Sequence, residues 1–189
     1  MYKRHRKLRN SSAIRNLVKN IYLEKGDLIY PIFIEEGENI KREINSMPGI
    51  FRYSIDRLDE EMEELKKLGI SSILLFGIPL HKDECATEGY NENGVIQNAI
   101  RYIKKKYPEF LVIGDVCCCE YTSHGHCGIL DEKGNVKNDE TLEVLSKIGI
   151  ITTCPFPLTS LLVKVSSIAP FTACNKRDCP LPLCPSYRL

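Results

Sequence analysis

Four cysteines and two histidines fall within the fourteen residues DVCCCEYTSHGHCG, Asp115–Gly128. Sulfur and imidazole at this density suit metal binding or thiol redox chemistry. In an extended chain, residues two apart face the same side. Cys117 and Cys119 can therefore converge on one ion while Cys118 faces the other way and packs. Cys127 returns after a loop of seven residues, 120–126, to supply a third sulfur. Zinc accepts thiolates at about 2.3 Å; a closed structural site takes four protein ligands, a catalytic one three with a position left open. His124 and His126 are candidates for a fourth ligand, for outer hydrogen-bond donors or for substrate-facing groups. Zinc is the favoured reading. A redox thiol cluster is a rival, although Cys-x-Cys lacks the usual two-residue spacer. Plain packing is another, because buried cysteine is common as a small hydrophobe. Cys85 is a lone loop cysteine without a partner in sequence. Cys154, Cys174, Cys179 and Cys184 are irregularly spaced, and no site is assigned to them.

The elements that must position this segment alternate between strand and helix. Asp27–Ile34 (DLIYPIFI) is an apolar run of strand length, in which Pro31 requires a place where no ladder donor is needed. SMPG, Ser46–Gly49, signals a turn. Asp56–Leu68 (DRLDEEMEELKKL) predicts a helix with Leu58, Met62, Leu65 and Leu68 on one face. Acids crowd its start, lysines its end, and Gly69 stops it. Ser72–Ile78 predicts a buried strand ended by Pro79, and His81–Gly94 a polar loop. Val95–Lys106 predicts a helix with Ala99 and Ile103 inward, closed by Pro108. Phe110–Cys117 is a third buried strand, which delivers the cysteines at its carboxyl end. A short hairpin around Lys133–Asn135 precedes a helix from about Asp139 to Ile148, with Leu142, Leu145 and Ile148 inward. Such alternation means βα units and a parallel sheet, with chemistry beyond the strands' carboxyl ends. A doubly wound sheet and part of an eight-stranded barrel both fit this pattern.

Composition narrows the class. The 189 residues are 43% hydrophobic and 27% charged with a net charge of +1, which gives no electrostatic case for nucleic acid or an acidic membrane. The N-terminus, MYKRHRKLRNSS, is basic without an apolar run behind it, so it does not read as a secretory signal. No run of about 18 apolar residues is present to span a membrane. A cytoplasmic location follows, where thiols stay reduced and nine cysteines favour metal binding over disulfides.

The last forty residues, 150–189, break the pattern. They hold no glycine, no glutamate and one aspartate (Asp178), yet six of the ten prolines and four of the nine cysteines. Segments such as CPLPLCPSYRL have neither helical nor strand period. One reading is a disordered or partner-binding tail. The other, preferred here, is a reading frame that shifts near Ile148.

DVCCCEYTSHGHCG resembles the zinc-binding segment of the porphobilinogen synthase (delta-aminolevulinic acid dehydratase) family, whose zinc-dependent members carry D-V-C-x-C-x-Y-T-S-H-G-H-C-G. RHRKLRNSSAIRNLV resembles that family's arginine-rich N-terminal arm, DLIYPIFIEEG its first strand and INSMPGIFRYSID the following loop. The likeness covers about residues 3–148. It implies a (β/α)8 TIM barrel, here an incomplete N-terminal half: an arm over 1–24, partly helical around Ala13–Leu23, then the first half-barrel over 25–149, then the aberrant tail over 150–189. It implies condensation of two 5-aminolevulinate molecules to porphobilinogen with loss of water, in haem and tetrapyrrole synthesis. By position it makes Cys117, Cys119 and Cys127 the zinc ligands, sets Asp115 beside the site, and sets Ser123 and His126 in the loop over it. It implies magnesium in the second half of full-length members, and a homo-oligomer, usually an octamer, held by the arm.

The chain departs from the family after Gly149. The resemblance puts the Schiff-base lysines on later strands, beyond an Ala-Gly-Ala-Asp start, where this chain reads IITTCPFPLTS. Neither Lys164 nor Lys176 sits in a matching motif, so no catalytic residue is identifiable. Three βα units cannot close an eight-stranded barrel. The chain alone is therefore expected to lack synthase activity and to fold poorly. A short zinc-binding protein without catalysis, using the same three cysteines, is the alternative from another class.

Overall fold

The computed structural model describes residues 6–152 in full, and residues 153 and 161–165 by backbone path alone. Cys154, Cys174, Cys179, Cys184 and Lys176 lie outside the described residues.

Strand β1 (Ile29–Glu35) is the inner strand from which the sheet grows. It pairs in parallel with β4 (Ser72–Ile78) along its whole length, Ile29 opposite Ser72 through Glu35 opposite Ile78. On its other flank β3 (Met47–Tyr53) reaches it in parallel at Phe33 and Ile34. Pro31 lies ahead of that short ladder, where β1 has a strand on one flank, a position at which a proline is tolerated. A hairpin strand, β2 (Lys41–Ile44), runs antiparallel to β3 at the edge. Beyond β4 come β5 (Leu111–Val116) and β6 (Leu161–Val165), both parallel, giving the order β2-β3-β1-β4-β5-β6. The hairpin departs from expectation: Met47–Gly49 belong to β3 rather than to a turn, with Gly49 at φ 83 inside the strand.

The helices cover one face of the sheet. Helix α2 (Leu58–Leu68) buries Leu58, Met62 and Leu65, each contributing about 1.5–3 kcal/mol. Leu68, expected on the same face, is half exposed in the last turn. Gly69 ends the helix in the left-handed conformation at φ 78, and the Ile70 N–H returns to the Leu65 carbonyl at 3.0 Å. Helix α3 (Val95–Lys106) buries Val95, Ile96, Ala99, Ile100 and Ile103. These side chains close over Ile32, Ile34, Ile73, Leu75 and Val112, the alternate residues of β1, β4 and β5. On the opposite sheet face Phe33 and Phe76 stack with centroids 5.3 Å apart. Two polar clamps tie the layers. Glu61 of α2 accepts hydroxyls from Tyr30 and Tyr53, each at 2.6 Å. Asp59 accepts Tyr102 at 2.7 Å and Tyr107 at 3.0 Å and pairs with Lys106.

Helix α1 is shorter than expected, Ser12–Leu17, capped by the Ser11 hydroxyl, which accepts the Ile14 N–H at 3.2 Å. The arm leaves its large apolar residues in solvent, with Leu17 84% and Ile21 81% exposed. Helix α4 (Asn138–Thr153) is longer than expected and does not stop at Ile148. Its inward face is Thr141, Val144, Leu145, Ile148 and Thr152, an i, i+3/i+4 series that puts Leu142 outside at 43% exposure.

Candidate metal centre

The parallel ladder between β4 and β5 ends at Leu75 opposite Gly114, and β5 itself ends at Val116. The chain then turns tightly: the Cys118 carbonyl accepts the N–H groups of both Tyr121 and Thr122 at 2.9 Å. The turn separates the three consecutive cysteines. Cys118 is fully buried among Ala86, Val116, Tyr121, Val144, Leu145 and Ile148, as a packing residue. Cys117 and Cys119 face each other, with their sulfurs 3.1 Å apart. The returning loop is closed by the Thr122 hydroxyl, which donates to the His126 carbonyl at 3.0 Å, and by Gly125 in the left-handed region at φ 72. It brings back Cys127, so that the sulfurs of Cys117, Cys119 and Cys127 all lie within 4.8 Å of one another. Cys117 is buried, Cys119 half-buried and Cys127 exposed, so the cluster opens to one side. Downstream, the Ile129 N–H donates to the Thr141 hydroxyl at 3.0 Å, which fixes the loop exit on the first turn of α4.

Burial dominates the electrostatics of the thiols. Burial pushes the Cys117 thiol well above its ordinary range, and the Cys119 and Cys127 sulfurs hold it there against the Cys119 backbone N–H. Burial also raises Cys119, with Cys127 and Glu120 adding to the effect. Cys118 is pushed up to about 11, again chiefly by burial. Three neutral thiols can sit closer than three thiolates around an ion. Bonds of about 2.3 Å at a tetrahedral angle separate sulfurs by roughly 3.8 Å. The observed cluster is compact enough for such a site, with Cys117 and Cys119 needing to part slightly, and its soft donor set fits a thiophilic dication, whose charge would displace the thiol protons.

Asp115 is buried at the end of β5. Ser123 is exposed, and its N–H donates to the Asp83 carbonyl at 2.9 Å. His126 is exposed; its N–H donates to His124 Nδ1 at 3.2 Å, and the two rings lie 5.4 Å apart. His124 Nε2 is buried without a partner among the described residues. Cys85 is exposed in the preceding loop and stands outside the cluster.

Two residues that sequence reasoning did not single out hold the turn. Glu120 Oε2 accepts the Gly77 N–H of β4 at 3.1 Å. Burial pushes its carboxyl up to about 8, opposed by that N–H, with the Asp115 charge adding. Asp83 bridges to Thr122 on the other side, its N–H donating to the Tyr121 carbonyl at 3.3 Å. Its carboxylate caps the turn over Cys85 and Thr87, accepting both backbone N–H groups at 3.0 Å. Both contacts link residues about forty positions apart, and no local pattern announces them.

The sequence profile of the family described as "Delta-aminolevulinic acid dehydratase" matches residues 2–154. A protein of that name from Ruminiclostridium josui is 51% identical over 150 residues, covering 79% of this chain and 73% of its own length. Those from Halalkalibacterium halodurans and Bacillus subtilis are 46% and 47% identical over 149 residues; 79% of this chain matches 45% and 46% of theirs. The chain thus spans under half the length of these two relatives. Among solved structures, the Toxoplasma gondii enzyme in complex with its reaction product porphobilinogen superimposes with a TM-score of 0.74 at 35% identity, over 81% of this chain and 44% of that one. The α/β architecture with its parallel sheet is that of the TIM-barrel family, represented by its opening portion.

Proposed function

Because the chain belongs to the delta-aminolevulinic acid dehydratase family, we propose that it carries the metal-binding half of a porphobilinogen synthase, a lyase of haem and porphyrin synthesis. The observation that carries this reading is the convergence of three sulfurs within 4.8 Å at the carboxyl end of β5. The substrate is 5-aminolevulinate, two molecules of which condense to porphobilinogen with loss of water. Zinc is the metal that the donor set suits best, and with three protein ligands it supplies Lewis acidity at an open position. Cys117, Cys119 and Cys127 hold it, on the exposed side of the cluster where substrate has access. Asp115, a buried carboxylate, lies beside the site. Ser123 and His126 lie on the loop that covers the approach. Fixing one substrate against another is where the entropic advantage of such a site arises.

The amine partner that forms a Schiff base belongs to later strands, and no lysine of this chain stands in the corresponding motif. The second reading, a zinc protein without turnover, rests on that departure. Both place the protein in the cytoplasm, where the thiols stay reduced; no helix among the described residues is long and apolar enough to cross a membrane. The exposed apolar arm supports a homo-oligomer, which light scattering on the chain with and without residues 1–24 tests. The decisive experiment is metal analysis of the purified chain beside its three Cys→Ser variants, with porphobilinogen formation assayed in parallel. One zinc per chain, lost in the variants, supports the reading. No stoichiometric metal in the wild type overturns it.

A further inference from the structure

We propose that Glu120 is a positioning residue of the metal centre, tying the turn that bears Cys117 and Cys119 to strand β4 through the Gly77 N–H. The inference rests on the reading that the three thiols hold an ion, and it concerns how their spacing is kept.

β6 pairs with β5 as far as Val116, but on the β4 side backbone pairing stops short of the cysteines. The β4–β5 ladder ends at Leu75 and Gly114, before Cys117 is reached. The strand β4 continues to Ile78 without β5 beside it. Gly77 therefore presents an N–H at a level where the neighbouring strand has already turned away. Glu120 Oε2 occupies that place at 3.1 Å, as a side-chain substitute for the lost ladder. The junction is tightly enclosed. A Cβ on Gly77 would meet Ile96 Cγ1 at 2.6 Å and the Tyr121 hydroxyl at 3.2 Å, so glycine is needed for Ile96 and Tyr121, the neighbour of Glu120, to close on β4. The Asp83 bridge secures Tyr121–Ser123 from the opposite side. Glu120 secures the residue directly after Cys119. Between these anchors the turn keeps Cys117 and Cys119 on the same side and close together, and a site whose ligands are preorganised in this way binds more tightly.

The test uses the full 189-residue chain and zinc itself. Zinc affinity is read by competition with a chromophoric chelator in wild type, Glu120→Ala, Glu120→Asp and Glu120→Gln. Glutamine keeps an oxygen acceptor at the same reach, whereas aspartate is too short and alanine has none. Glu120→Ala and Glu120→Asp are expected to weaken zinc binding about tenfold or more, and Glu120→Gln to stay within about threefold of wild type. Hydrogen exchange of the Gly77 amide gives a second readout: slow in wild type and Glu120→Gln, fast in the other two. A purely structural role would lower the unfolding temperature of Glu120→Asp while leaving its zinc affinity as in wild type, and that result overturns the proposal. So does a Glu120→Gln protein as weak as Glu120→Ala. Wild type that takes up no zinc removes the metal assignment as well, whereas wild type that binds zinc with Glu120→Asp unaffected removes the role of Glu120 alone.

Discussion

Serine at each of the four clustered cysteines separates ligand from packing residue within a span of eleven positions. Cys118 is fully buried against Val116, Tyr121, Val144, Leu145 and Ile148. A hydroxyl there has no partner and costs about 1–3 kcal/mol. For a domain of this size that corresponds to roughly 2–12 °C in Tm. Cys118→Ser is therefore expected to melt lower and still take up one ion per chain. The other three positions invert the pattern. Zinc held by four ligands in small peptides is worth about 10–16 kcal/mol, or roughly 2.5–4 kcal/mol for each ligand. At about 1.4 kcal/mol per tenfold, losing one thiolate raises Kd by about two to three orders of magnitude. Cys127→Ser is the sharpest case, because that residue is exposed and its loss leaves the metal-free Tm within about 1–2 °C of wild type. The assays are chelator competition for zinc and thermal unfolding after metal removal. Should Cys118→Ser release the ion while Cys127→Ser retains it, the division of roles drawn from the turn geometry is wrong.

Incubated alone with 5-aminolevulinate, the chain is expected to give no porphobilinogen in a colorimetric assay, since it offers no lysine in the Schiff-base motif; sustained turnover would contradict that assignment. Asp59→Ala leaves the Tyr102 and Tyr107 hydroxyls and Lys106 without their acceptor and is expected to lower stability by about 1–2 kcal/mol in urea unfolding. Burial works to raise Asp59, but hydrogen bonds from Lys106, Tyr102 and Tyr107 outweigh it and hold the carboxyl below its ordinary range. A lowered folded-state value means stability that is present above the ordinary carboxylate pKa and lost as pH falls through the lowered one. The urea midpoint of wild type should accordingly fall at acid pH more steeply than that of Asp59→Asn. Gly114→Ala places a Cβ 2.6 Å from Thr152 Cγ2 and should cost about 1–3 kcal/mol by thermal melt; a neutral result would mean that α4 does not pack there.

What the sequence made legible follows from local physics. Helices α2 and α3 and strand β4 have their boundaries written in apolar period, charge gradient, Gly69 and Pro79. The two-residue spacing of Cys117 and Cys119, with Cys118 turned away, is equally local and is what the structure shows. The β2–β3 hairpin was hidden because Pro48 and Gly49 read as a turn, and because β3 touches β1 at Phe33 and Ile34 alone. The change of composition near Ile148 makes the sequence of α4 look as if it ends there. Ile150–Thr153 nonetheless contain no helix breaker, and the Thr152 hydroxyl donates back to the Ile148 carbonyl at 2.7 Å. Apolarity alone points Leu142 inward; the i, i+4 series through Thr141 and Leu145 turns it out. The anchors Glu120 and Asp83 depend on tertiary approach of segments distant in sequence, which spacing cannot convey.

The order in which strands join the sheet has a bearing on synthesis. From β1 onward, β4, β5 and β6 are each laid against the strand made just before it in that direction. A nascent chain can therefore extend this side of the sheet as it leaves the ribosome, without waiting for distant sequence. The last sulfur, Cys127, emerges eight positions after Cys119. At about 5–20 residues per second that is an interval of roughly a second. If the three thiols hold zinc as proposed, the ion can be captured as soon as Cys127 leaves the ribosome, so cells short of zinc during synthesis would leave the newborn cluster unfilled while β1, β4 and β5 have already emerged.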